Sequence, residues 1–192
     1  MNVPANLPNL LTWLRIVLIP LFLAIYFLPD YWLSGPNKNI VATAMFAAAA
    51  ATDWLDGYLA RSLNQTSAFG AFLDPVADKL MVTAALILLV SLQRVDAIIA
   101  VIIIGRELAI SALREWMAKI GQSRSVAVSF IGKLKTTFQM IAIVLLLYNG
   151  IVLGLDTSRL GTVLIYAAAL LTLWSMGYYL RRAMPFLSGR ES

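Results

Sequence analysis

The stretch Asp53-Trp54-Leu55-Asp56-Gly57-Tyr58-Leu59-Ala60-Arg61, continued by Gly70-Ala71-Phe72-Leu73-Asp74-Pro75-Val76-Ala77-Asp78, decides how this chain is read. It sets four carboxylates in apolar surroundings. The acids of each pair are three or four residues apart, so each pair lies along one helix face. At ~100° per residue, Asp53, Asp56, Gly57 and Ala60 fall within about 60° of one another. Gly70, Asp74 and Asp78 follow at i, i+4 and i+8. Four acids among alanines and leucines repel one another and resist desolvation, and a bound cation is the usual compensation. All-oxygen ligands select hard ions, here Mg²⁺ or Mn²⁺. Two antiparallel helices presenting these faces can hold two such ions, and a metal pair about 4 Å apart can bridge a diphosphate.

Helix caps on a solvated loop would explain one or two of these acids. Four at this spacing need a common reason, since an acid at bilayer depth costs about 2.5–3.5 kcal/mol on insertion scales. Gly57, and Gly70 if helical, lower helix stability. That makes sense where a nucleotide or phosphate must approach the backbone.

The surrounding chain is 60% hydrophobic and only 13% charged, which predicts an all-α, polytopic membrane protein. Residues 1–192 read as a single domain without repeats. No cysteine or histidine is present, so thiol chemistry and histidine bases are excluded and proton transfer falls to Asp, Glu, Lys or Tyr. The net charge of +5 fits anionic lipid or a phosphate-bearing substrate. Nucleic acid is not expected, because no exposed basic domain is present to hold it.

A short interfacial segment precedes six predicted transmembrane helices: Leu10–Leu28, Ile40–Leu59, Ala71–Leu92, Ala97–Leu113, Leu134–Ile151 and Leu160–Leu180. The first run is too long for a signal-peptide core and reads as a retained span. Tyr31, Trp32 and Pro36 suit a membrane–water interface. The run Ala47–Ala51 leaves room for close helix approach or for a ligand. Gln93–Asp96 reads as a tight turn, and Ser158 as the cap of the last helix. Asn64-Gln65-Thr66 matches a glycosylation sequon but sits in a short loop predicted to be cytoplasmic.

Six spans put both termini on one side. Of the 15 basic residues, only Lys38, Arg94 and Arg159 fall on the other. The termini and all four aspartates are therefore expected to face the cytoplasm, from a cytoplasmic (inner) membrane crossed several times.

The pattern Asp-x₂-Asp-Gly-x₂-Ala-Arg-x₈-Gly-x₃-Asp-x₃-Asp resembles the signature of the CDP-alcohol phosphotransferase family. Every fixed position is present: Asp53, Asp56, Gly57, Ala60, Arg61, Gly70, Asp74 and Asp78. The resemblance implies a six-helix membrane enzyme, usually a homodimer, with its site at the cytoplasmic interface. It implies that Asp53, Asp56, Asp74 and Asp78 hold two divalent ions, that Asp78 is also the general base, and that Gly57, Ala60, Arg61 and Gly70 line the CDP pocket. The physical reading agrees on the base: Asp78 lies last on its stripe, histidine is absent, and a nearby metal keeps a carboxyl ionised. An acceptor hydroxyl would attack the phosphorus bearing diacylglycerol in CDP-diacylglycerol, and CMP would leave.

The acceptor is read from a second set of residues. Arg106-Glu107-Leu108-Ala109-Ile110-Ser111-Ala112-Leu113-Arg114 places Glu107, Ser111 and Arg114 on one helical face. Gly132-Lys133-Leu134-Lys135-Thr136 follows across a polar loop. Arg106, Arg114, Lys133 and Lys135 can supply a phosphate clamp, which a phosphorylated alcohol needs and free serine or choline does not. Flanking charge of the positive-inside kind explains Lys119, Arg124 and Arg181-Arg182. Lys133 and Lys135, two residues apart, point to opposite sides of a helix. These segments and the opening Asn9-Leu10-Leu11-Thr12-Trp13-Leu14-Arg15 are similar to the bacterial branch of the family whose acceptor is sn-glycerol 3-phosphate.

Other readings remain open at this level. Inositol 1-phosphate would also need the clamp. A membrane prenyltransferase also binds a diphosphate through aspartates and Mg²⁺, but needs more spans than this chain provides. A divalent-cation transporter would carry acids at mid-membrane and on both sides, whereas here they gather at one interface.

Overall fold

The computed structural model describes residues 7–62, 68–122 and 130–187, and the side chains of 10–52, 70, 72–122, 132 and 134–186. Six long helices account for nearly all of this: α1 (Leu7–Ala24), α2 (Gly35–Ser62), α3 (Ala68–Ser91), α4 (Ala97–Lys119), α5 (Phe130–Tyr148) and α6 (Thr157–Leu187). A 3-10 turn, Ile25–Phe27, extends α1. The sequon lies outside the described residues, as do residues 1–6, 123–129 and 188–192.

The all-α expectation holds, and each predicted span lies on its own helix. The helices start with or before the apolar runs, while α1, α3 and α5 stop before the runs end, because local turn and capping chemistry, not hydropathy, sets their ends. Helix α2 starts at Gly35 rather than Ile40. Pro36, whose ring fixes a helical φ and whose missing N–H is no loss in a first turn, starts it early. Helix α6 opens on Asp156, whose Oδ1 accepts from the N–H groups of Ser158 (2.9 Å) and Arg159 (3.2 Å). The cap is therefore Asp156, not Ser158: a carboxylate satisfies two orphan N–H groups at once. Helix α5 stops at Tyr148, not Ile151, because Ile151–Val152 pairs antiparallel with Leu155–Asp156 in a two-rung hairpin. Asn149 (φ 48°) and Gly154 (φ 79°) turn the chain there. The tight turn at Gln93–Asp96 is present, with Gln93 at φ 57°.

The core is built from helical stripes. Ala42, Phe46 and Ala49 of α2 meet Phe22 of α1, with the rings of Phe22 and Phe46 6.5 Å apart. Met81, Ala85 and Leu89 of α3 and Ala142, Ile143 and Leu146 of α5 complete it. A second cluster, Ile110 and Met117 with Tyr179 and Ala183, joins α4 to α6. The outward surface is apolar too: Ile98 is 74% exposed, Leu170 69% and Trp174 71%. Among the described residues, two helical stretches, Leu10–Phe27 and Thr157–Phe186, are long and apolar enough to cross a membrane, and Leu134–Tyr148 is a shorter apolar helix.

Helices α5 and α6 pack closely at Gly161. A Cβ there would lie 2.8 Å from Leu146 Cγ and 3.2 Å from the Ala142 carbonyl oxygen. Only a residue without a side chain lets the backbones approach this far.

Candidate active site

Asp74 and Asp78 stand one turn apart on α3, which runs unbroken through Pro75. The Thr12 hydroxyl of α1, itself buried, donates to Asp74 Oδ1. Thus α1 orients the first carboxylate from behind. Asp78 is exposed and borders two spaces. One is a narrow void of about 10 Å³ shared with Arg15 of α1 and Ala49 and Ala50 of α2. The other is a cavity of about 250 Å³ lined also by Lys79, Glu107, Thr136 and Gln139. The small residues of α2 border the first of these spaces. Asp78 therefore stands between α1 and α2 on one side and the α4–α5 cavity on the other.

The helix α2 carries Asp53, Asp56, Gly57, Ala60 and Arg61 on consecutive turns, but their side chains lie outside the described residues. Gly70 is buried near the start of α3. Among the described residues no three metal-ligating side chains cluster; half of the aspartate set is outside that description.

The cationic residues gather on α4, α5 and α6. Lys135 of α5, 1% exposed, and Arg106 of α4, 7% exposed, share the carboxylate of Glu107. Arg106 also donates through Nη2 to Ser175 Oγ of α6 at 2.9 Å. Arg114 donates through Nη2 to the Tyr179 hydroxyl at 3.3 Å. The guanidiniums of Arg106 and Arg114 lie over the Tyr179 ring, 5.7 and 5.3 Å from its centroid. Charged planes over a ring face are attracted by its quadrupole. Lys79 of α3 donates to Ser111 of α4.

So Arg106, Arg114 and Lys135 form one linked cluster, while the Lys133 side chain lies outside the described residues. The expected shared face of Glu107, Ser111 and Arg114 divides. Glu107 and Ser111 meet lysines of α5 and α3, whereas the longer Arg114 arm swings to α6. Both Arg106 Nε and Arg114 Nε are buried without a hydrogen-bond partner among the described residues. Glu115, further along α4 and exposed, has its carboxyl held below the usual range by a hydrogen bond from Lys119, 2.9 Å away, and by that charge.

Sequence reading missed Thr12, Lys79, Ser175 and Tyr179. Lys79 follows Asp78 directly but lies about 100° round the helix from it, off the aspartate stripe, so the stripe does not single it out. Ser175 and Tyr179 are 69 and 65 residues from their arginine partners, with no local signal to link them.

The family described as CDP-alcohol phosphatidyltransferase matches residues 5–174. The chain is similar to the CDP-diacylglycerol–glycerol-3-phosphate 3-phosphatidyltransferases of Escherichia coli strain K12 and Shigella flexneri serotype 5b. Each is 47% identical over 180 residues, covering 93% of this chain and 94% of the relative.

Proposed function

The chain belongs to the CDP-alcohol phosphatidyltransferase family, and on that premise we propose that it transfers the phosphatidyl group of CDP-diacylglycerol to glycerol 3-phosphate. The products are phosphatidylglycerophosphate and CMP. The observation that carries this is 47% identity over 93% of the chain to relatives named CDP-diacylglycerol–glycerol-3-phosphate 3-phosphatidyltransferase, with the eight-position signature intact.

Asp78 is the general base. It borders the 250 Å³ cavity, so a hydroxyl seated there lies within its reach. The carboxylate accepts the acceptor's proton as the hydroxyl oxygen bonds to the phosphorus bearing diacylglycerol. The phosphorus–oxygen bond to CMP breaks, and CMP leaves with that electron pair. Gly57, Ala60, Arg61 and Gly70 seat the CDP group. Arg106, Arg114, Lys133 and Lys135 bind the acceptor phosphate; Arg106 and Lys135 are held ready by Glu107, so little reorganisation is needed at the moment of binding.

The aspartate set suits divalent ions. Asp74 and Asp78 offer hard oxygens one turn apart, Thr12 fixes one of them, and the chain has no softer ligand. Two ions, Mg²⁺ or Mn²⁺, held by Asp53, Asp56, Asp74 and Asp78, would neutralise charge on the diphosphate when bound.

The six helices cross a cytoplasmic membrane, both termini and the aspartates facing the cytoplasm. The apolar outer surface and the asymmetry of basic residues support this. Family resemblance supports a homodimer. The test is product identity. Purified protein is given CDP-diacylglycerol with glycerol 3-phosphate or, separately, with inositol 1-phosphate; mass spectrometry should find phosphatidylglycerophosphate with the first and no new lipid with the second. An inositol lipid instead would overturn the acceptor, and no lipid product with either would overturn the transferase.

A further inference from the structure

At the opposite end of α2 from its aspartates lies a cavity of about 490 Å³ that the reaction does not use. Lys38 and Asp53 are 15 residues apart on the helix, so the two ends are about 22 Å apart along its axis. Tyr26, Lys38, Asn39, Arg94, Tyr148 and Asn149 are among its lining residues.

This lining is built, not incidental. Arg94 Nη1 donates to the Leu146 and Leu147 carbonyl oxygens, both at 3.0 Å, and closes the end of α5. Its Nη2 donates to Asn39 Oδ1 at 2.9 Å, which also accepts from the Tyr26 hydroxyl at 3.0 Å. Helices α1, α2 and α5 and the α3–α4 turn are thereby tied around one cation. The hairpin wall is fixed as well: the Gly150 N–H donates to Thr157 Oγ1 at 3.0 Å, and that hydroxyl donates back to the Gly150 carbonyl at 2.9 Å.

Charge in the cavity is unbalanced. Lys38 is 7% exposed, and its ammonium has one partner among the described residues, Asp30 Oδ1 at 2.7 Å. That carboxylate reaches in from a side chain 85% exposed. An ammonium has three N–H donors, so two remain. Lys38 also sits in the first turn of α2, which holds no acidic residue. A cation is disfavoured there by the helix's own positive end. A buried lysine, an arginine and a helix N-terminus against one exposed carboxylate call for an anion.

We propose that this cavity binds a phosphate group, held by Lys38 and Arg94, on the face of the protein away from the aspartates. The preceding loop favours a lipid headgroup as its source: Tyr31 and Trp32 are 81% and 70% exposed, as aromatic residues are at headgroup level. The proposal is independent of the transferase reading.

The test uses the full-length protein in mild detergent. Melting is followed by tryptophan fluorescence with added phosphatidylglycerol, phosphatidylcholine or inorganic phosphate. Phosphatidylglycerol should raise the melting temperature more than phosphatidylcholine. Lys38→Met should lose at least half of the shift, and Asp30→Asn, an exposed change that removes the competing carboxylate, should enlarge it. A shift from inorganic phosphate alone, lost in Lys38→Met, supports the site with a free ion as its ligand. Equal shifts in the wild type and Asp30→Asn, or in the wild type and a folded Lys38→Met, overturn the proposal.

Discussion

Lys135 of α5 donates to the carboxylate of Glu107 on α4, and the lysine is 1% exposed. The same carboxylate meets Arg106 at 3.3 Å. One anion thus compensates two buried cations, and those cations are the ones assigned to the acceptor phosphate. Glu107 occupies both; under the proposed function, the acceptor phosphate would add a second anion to the pair.

Removing that anion should be felt in stability and in binding. Glu107→Ala leaves Lys135 and Arg106 buried without their counter-charge, and breaking a buried pair costs about 3–5 kcal/mol. Denaturation in micelles should show a loss of that order, with a raised KM for glycerol 3-phosphate in whatever folds. Wild-type stability in this variant would show that the pair is not buried as described.

Asp78→Asn should leave CDP-diacylglycerol binding measurable and lower turnover about 10²–10⁴-fold, the usual worth of a general base. Near-normal turnover would remove Asp78 from that role.

Arg106→Lys keeps the charge but cannot span Glu107, Ser175 and the Tyr179 ring together. The KM for glycerol 3-phosphate should rise roughly tenfold, as for a lost charged hydrogen bond, with a smaller change for CDP-diacylglycerol. Equal effects on both substrates would place Arg106 outside the acceptor clamp.

Thr12→Val deletes the hydroxyl that donates to Asp74 while keeping the side chain's shape. Loss of such support to a metal ligand typically weakens metal affinity about 10–100-fold. A Mg²⁺ titration of activity should shift to higher concentration, with much of the maximal rate recovered at saturation. An unchanged titration curve would mean that Asp74 needs no orientation from α1.

Gly161→Ala tests the fold rather than the site. Its methyl group would meet Leu146 and the Ala142 carbonyl oxygen, and overpacking of this kind costs about 1–3 kcal/mol. The melting temperature should fall; an unchanged value would show that α5 and α6 separate easily.

The six helices were legible because each contains an apolar run long enough to stand out. Their ends were less so: Pro36 starts α2 early and Asp156 caps α6, and neither signal is hydrophobic. The Asp74–Asp78 pair was legible from its spacing, since i and i+4 share a face on any helix. The surroundings of Arg106 and Arg114 were not. Tyr179 and Ser175 reach them from α6, and which face of α6 meets α4 depends on packing that no local pattern encodes. The count of spans predicts Arg94 and Lys38 at the same end of the helices, and both line one cavity.

The most direct test of the central claim is CMP release by the purified protein with CDP-diacylglycerol, glycerol 3-phosphate and Mg²⁺, with and without EDTA. CMP should appear only with the acceptor present, and EDTA should abolish it. CMP release that ignores EDTA would contradict the aspartate metal site, and no release in folded, metal-binding protein would contradict the transferase itself.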